Sequence, residues 1–263
     1  MGHWYSQDRK PQHFIVGANG KDRDSTLRDA RKFGWVPSVT GILDQINKPG
    51  LNLWKQNQIL LAALTLPKIP NESLDQFSER VITDAYKASG EARDIGGEIH
   101  ADIERLFLGD AAVIHRETAQ DAADAIKTFC GCDTFIPEQI VVGEGYGGMV
   151  DLHNDLFCID HKTKDITEKQ WTDYTSGKNP RIAYQDHCMQ LAAYHHALGG
   201  TDKRCLNVFI DRVIPGRVII HEWTTAEIER GFKMFMLQLY YWQIDKEYYP
   251  NDKISSTTNE ASK

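Results

Sequence analysis

The stretch Met149-Val150-Asp151-Leu152-His153-Asn154-Asp155-Leu156-Phe157-Cys158-Ile159-Asp160-His161-Lys162 organises the rest of the chain. Residues 149–153 and 156–162 are short runs rich in Val, Ile, Leu and Phe, the composition of strands. Asn154-Asp155 between them suits a tight turn. The segment reads as a hairpin, across which Asp151 and Asp160 approach one another. Asp160 and Lys162 share one face, because strand side chains alternate with period two. Two converging carboxylates need a counter-charge, which a divalent cation supplies. Hard oxygen ligands favour Mg²⁺ or Mn²⁺. Such an ion acidifies water and clamps a phosphoryl oxygen. The lysine can orient or deprotonate that water and offset charge on phosphate. The same triplet also describes a solvated hairpin with a surface ion pair, since 25% of the residues are charged.

Upstream, Glu138 to Val142 is a further strand. Gly143-Glu144-Gly145-Tyr146-Gly147-Gly148 then satisfies G-x-G-x-x-G. A dinucleotide site would need a helix immediately afterwards to hold the pyrophosphate. The alternating residues 149–153 follow instead, so no nucleotide cofactor is expected. The glycines suit a turn or bulge and the close approach of another chain.

Further upstream, Pro37-Ser38-Val39-Thr40 leads into a helix with Ile42, Leu43 and Ile46, capped by Ser38 or Thr40. Pro49-Gly50 ends it, and a second helix runs from about Leu53 to Leu64. Residues 73–108 read as helical, broken near Gly90 and Gly96-Gly97, and Ala119 to Cys130 is amphipathic. Downstream, residues 164–182 read as a long polar loop and Tyr184 to Leu198 as a helix. Cys205 to Val213 and Arg217 to Trp223 read as a strand pair joined at Pro215-Gly216. A final helix is capped by Thr225. This order predicts an α/β fold with a mixed sheet flanked by helices. One domain spans residues 1–250, with a helical part at about 37–130 and a flexible tail at 251–263.

Composition narrows the function classes. The chain has 263 residues, and no stretch approaches the run a membrane span needs. Thirty basic against 37 acidic residues give a net charge of −7, unlike a protein that merely coats nucleic acid. A nuclease is compatible with this balance, because metal-binding carboxylates add negative charge. Five scattered cysteines suit a reducing compartment and form no ligand-like cluster beyond Cys130-Gly131-Cys132. With no targeting segment evident, a cytoplasmic bacterial or phage setting is expected.

Two further features join the hairpin. Gly96-Gly97-Glu98-Ile99-His100 precedes a core stripe of Ile99, Ile103 and Leu106, and His100 sits beside that stripe as a packing residue or a ligand. Gln190 and Tyr194 are i and i+4 on one helix face. Taken together, Gly96-x3-His100, Gly148-x-x-Asp151, Ile159-Asp160-x-Lys162-Thr163 and Gln190-x3-Tyr194 resemble the RecB-like branch of the PD-(D/E)XK nucleases. This branch includes the mitochondrial genome maintenance exonuclease and phage exonucleases. The resemblance spans about residues 37–198, with Pro37-Ser38-Val39-Thr40 similar to the segment before the first helix.

The resemblance implies a restriction-endonuclease-like core, at about residues 96–223, with the N-terminal helical region over the active site. It implies that Asp151, Asp160 and His100 are metal ligands, joined by the backbone carbonyl of His161. Lys162 would be the catalytic lysine, and Gln190 and Tyr194 would position substrate and site. Glu138 matches an upstream glutamate whose role is metal-linked or structural. Ser38 would touch a phosphate or simply cap its helix. His161 is polar where an apolar residue is common. The cysteine arrangement of the iron–sulfur relatives is lacking, so no iron–sulfur cluster is expected.

The expected activity is Mg²⁺- or Mn²⁺-dependent DNA exonuclease action on single strands or ends, in recombination, repair or phage DNA processing. A structure-specific or restriction-type endonuclease and a non-catalytic nucleic-acid-binding module are the alternatives. No P-loop is present, so unwinding would come from a helicase partner; a recombinase or single-strand-binding protein would fit the same setting. Lys164, Arg181, Arg93, Lys169 and Lys178 could track the DNA backbone. Trp4, Tyr5, Trp35 and Trp54 could stack on bases or serve as core.

Overall fold

The computed structural model describes residues 3–200 and 202–250; the tail expected to be flexible lies outside them. The N-terminal part contains β1 (Trp4–Tyr5), β2 (Phe14–Val16), β3 (Asp22–Asp24), α1 (Leu27–Phe33), β4 (Val36–Pro37) and α2 (Val39–Leu43). Then come α3 (Pro49–Thr65), α4 (Leu74–Leu108) and α5 (Arg116–Cys130). The sheet strands are β5 (Ile136–Gly143), β6 (Tyr146–His153), β7 (Phe157–Lys164), β8 (Arg204–Asp211) and β9 (Val218–Trp223). Between β7 and β8 lie α6 (Glu168–Thr175) and α7 (Gln185–Ala197), and α8 (Thr225–Lys246) follows β9.

The five strands lie in the order β5-β6-β7-β8-β9. All neighbours are antiparallel except β7 and β8, which are parallel. A parallel neighbour requires a crossover, and α6 and α7 supply it. This mixed sheet flanked by helices is the α/β architecture expected. One core cluster joins Val150 and Cys158 of the sheet to Cys188, Leu191 and Ala192 of α7 and Phe235 of α8. Another joins Leu152, Ile159 and Leu206 to Ile99 and Ile103 of α4 and Ile126 of α5. The sheet is therefore buried on both faces, which suits β8, where residues 205–210 are apolar except for Asn207.

Three local expectations are corrected. First, α4 runs unbroken through Gly90, Gly96 and Gly97. Each internal glycine costs only about 1 kcal/mol. That cost is offset by the Ser73–Gln76 capping box, the left-handed C-cap at Gly109 and burial of the Ile99–Ile103 stripe. Second, the 164–182 segment contains α6, opened by a Thr167–Gln170 capping box. Trp171 and Tyr174 of α6 pack on Ile166, Ile182, Phe209 and Ile219. Third, the cap of α8 is Thr224, reciprocated by Glu227. In addition, α3 packs on the first half of α4 through Ala62, Val81 and Ala85, forming a small cluster of their own.

Candidate active site

The regular pleat fails at Asp151. Residues two apart on a strand share a face, yet Val150 lies in the core with α7 and Leu152 with α4 and α5, although they are separated by one residue. Opposite Asp151, between the pairs Pro137↔Leu152 and Gln139↔Val150, Glu138 has φ 49°. This left-handed conformation costs a non-glycine residue of order 1 kcal/mol or more. On the other side, the β6–β7 ladder is limited to Leu152↔Ile159 and His153↔Cys158. Beyond it, the His161 N–H donates to the Asp151 carboxylate at 2.6 Å in place of a strand carbonyl. The strands thus part at the carboxylate, which is held at their fork.

Three side chains converge there. His100 Nδ1 and His161 Nδ1 each lie 3.9 Å from Asp151 Oδ2. The two imidazoles meet edge to face with centroids 5.4 Å apart. One ligand atom from each of His100, Asp151 and His161 lies within 4.8 Å of the others. Burial lowers the His100 pKa and brings that of His161 down to about 4, favouring the neutral rings that bind metals. His161 is 3% exposed, and its Nε2 is buried without a hydrogen-bond partner. Burial, with Asp151 and Glu104 adding repulsion, pushes the Glu138 carboxyl up to about 8. A neutral nitrogen pair and an adjacent carboxylate fit a divalent cation.

Asp160 and Lys162 belong to a second, saturated network. Lys162 Nζ lies 2.6 Å from Asp160 Oδ2 and donates to Gln190 Oε1 at 3.1 Å. Gln190 Nε2 donates to Asp160 Oδ1 at 2.8 Å and to the Tyr194 hydroxyl oxygen at 3.2 Å. Asn207 Nδ2 donates to Asp160 Oδ2 at 2.8 Å, and Trp223 Nε1 donates to Asn207 Oδ1 at 2.7 Å. Burial raises the Asp160 pKa, with Asp151 also raising it and Lys162 opposing. Lys162 remains 26% exposed, so this network has an open end at the ammonium.

The predicted residues therefore separate into two groups. His100 and Asp151 come together with His161, whose ring stands at the site in addition to the backbone carbonyl that the resemblance assigns. Asp160, Lys162, Gln190 and Tyr194 come together around Asn207. Glycines make both groups possible. A Cβ on Gly96 would lie 2.4 Å from Thr163 Oγ1, and one on Gly148 would lie 2.4 Å from the Tyr194 ring. Gly147, on the opposite side of β6, similarly accommodates Tyr5. The glycine run accordingly serves close packing, and β6 begins within it and continues where a dinucleotide site would need a helix.

Other candidates fare differently. Ser38 is buried, and its Oγ caps α2 by accepting from the Gly41 N–H at 3.0 Å. Lys164 is half-buried beside the Tyr184 ring, and Arg181 is exposed. Lys169 is paired with Asp173 at 2.5 Å. Trp4, Tyr5 and Trp35 are core residues, which removes them as base-stacking platforms, whereas Trp54 is 38% exposed. Asn207 was not among the predicted residues. Its signal was a lone amide inside the apolar β8 run, where a buried polar group must find partners.

No family model and no curated protein matches the chain. Among solved structures it is similar to the alkaline exonuclease LHK-Exo from Laribacter hongkongensis, at 14% identity and TM-score 0.29, covering 57% of this chain and 84% of that one. The same exonuclease in complex with dAMP gives 13% identity and TM-score 0.28, covering 72% and 91%. SSO0001 gives 15% identity and TM-score 0.27, covering 73% and 88%. The chain's own residues, rather than these likenesses, carry the function proposed below.

Proposed function

We propose that this protein is a divalent-metal-dependent DNA exonuclease that hydrolyses phosphodiester bonds on single strands or at ends. The observation that carries the reading is the fork at Asp151, where two neutral imidazoles and a carboxylate face one another beside a solvent-reaching lysine. His100, Asp151 and His161 would hold the cation. A cation there supplies positive charge against phosphate oxygens and lowers the pKa of a water.

The remaining chemistry belongs to side chains. Lys162 as an ammonium stabilises charge that builds on the phosphate, and the value of such a donor lies in its prior orientation. Asp160 and Gln190 provide that orientation by holding Nζ from two sides. Tyr194 braces Gln190, and Asn207 braces Asp160. Direct metal ligation by Asp160 would draw on an oxygen already engaged in these bonds. Lys164 and Arg181 would track the DNA backbone. A helicase, recombinase or single-strand-binding protein would supply or protect the substrate in recombination, repair or phage DNA processing.

The test is degradation of end-labelled linear single-stranded DNA with Mg²⁺, Mn²⁺ or EDTA, comparing wild type with Lys162→Ala. The expected result is metal-dependent loss of label that vanishes in the variant, while a circular strand survives. Cleavage of the circle would replace exonuclease with endonuclease action. Equal inertness of both proteins, with DNA still bound, would replace catalysis with a binding role.

A further inference from the structure

The resemblance gives position 161 only a backbone role, but this chain places an imidazole there, and the geometry gives that ring its own task. We propose that the His161 side chain is a metal ligand, making a two-imidazole, one-carboxylate site that selects a first-row transition-metal dication over Mg²⁺. The inference rests on the reading of this fork as a metal site.

Three observations support it. The ring is aimed at the site: its Nδ1 is as far from Asp151 Oδ2 as is that of His100, at 3.9 Å. The second nitrogen, Nε2, is buried without a hydrogen-bond partner, so no competing bond on that side holds the ring away from the site. Buried polar groups in folded proteins are normally paired, and an exception calls for a role. The position itself is also unfavourable for a mere packing residue. An apolar side chain on β7 facing α4 would extend the cluster of Ile99, Leu152 and Ile159 at no polar cost.

Ligand chemistry then sets the ion. Mg²⁺ prefers oxygen donors and retains several waters, whereas imidazole suits later first-row ions. With Asp151 alone as a hard donor, Mg²⁺ would find one favourable ligand and two poor ones. Co²⁺, Zn²⁺ or Fe²⁺ would find three acceptable ligands, and Mn²⁺ stands between in the affinity order. The backbone N–H of His161 donates to Asp151, which fixes the carboxylate beside the strand position that carries the ring.

The experiment is titration of the full chain with Co²⁺ and Mg²⁺ by calorimetry, with the visible absorption of Co²⁺ reporting its ligand set. Wild type, His161→Leu, His161→Gln and Asp151→Asn would be compared after thermal unfolding has established that each folds. We expect wild type to bind Co²⁺ more tightly than Mg²⁺ by at least about tenfold. Both His161 variants should lose about tenfold or more in Co²⁺ affinity and shift the Co²⁺ absorption, with little change for Mg²⁺. Unchanged Co²⁺ affinity and spectrum in a folded His161 variant, with binding lost in Asp151→Asn, would overturn the inference and leave the metal-dependent reading standing. Absence of binding of either ion to wild type would overturn both.

Discussion

Asp151 and Asp160 lie on neighbouring strands, yet their surroundings differ in kind. Around Asp151 the pleat breaks, the ladder ends and two imidazoles face the carboxylate at distances too long for hydrogen bonds. Around Asp160 every oxygen is engaged, by Lys162, Gln190 and Asn207. The first region is under-satisfied, as a site awaiting a ligand would be. The second is fully bonded, as a support that fixes one functional group would be. The difference teaches that two residues of the same type, predicted for the same role, can be separated by counting what already binds them.

Removing the charge at the fork should have the largest effect. Asp151→Asn keeps an acceptor for the His161 N–H, so thermal unfolding should change little, while metal-dependent DNA cleavage should fall by about 10³-fold. Equal losses of stability and activity would erase the contrast between the regions. Next, Asn207→Ala should destabilise the fold by roughly 3 kcal/mol, because it strands the Trp223 indole N–H and weakens Asp160 in a buried place. Urea unfolding would measure this loss, and Co²⁺ binding at the fork should survive in the folded fraction.

A smaller effect is expected at Gln190. Gln190→Leu frees the Lys162 ammonium from one of its two holds, and single-turnover cleavage should drop about 10–100-fold with DNA affinity retained. A matching loss of DNA affinity would instead make Gln190 a substrate contact. The smallest effect belongs to Trp54, exposed on the helix that packs beside the His100-bearing α4. Trp54→Ala should leave stability unchanged and weaken single-stranded DNA binding by about 1 kcal/mol, the lower end for loss of one stacked base. No change in binding would confine the DNA path to the sheet side.

Much of this was legible in the chain. The strand-turn-strand pattern of residues 149–162 located the hairpin, and the i, i+4 spacing placed Gln190 and Tyr194 on one face. Period and turn chemistry are local, so a sequence displays them directly. Helix interruption at Gly96 was misread for the complementary reason. A glycine's local cost is visible, but the Thr163 hydroxyl that demands it comes from a distant strand. Similarly, the Thr167–Gln170 pair is a local signal of α6, but the packing that sustains so short a helix is tertiary.

The site divides in the same way. Residue types and spacing determined that Asp151, Asp160 and Lys162 belong to one neighbourhood, because alternation fixes directions over a few residues, whereas His100 joined them only through the family resemblance. Only the tertiary structure decided that Asp160 is saturated, that the His161 ring joins His100 and Asp151, and that Asn207 closes the second network. Those outcomes depend on a break in the pleat and on a crossover that brings β8 beside β7. Alternation predicts directions along an intact strand, and it has no means of showing where a strand departs from itself.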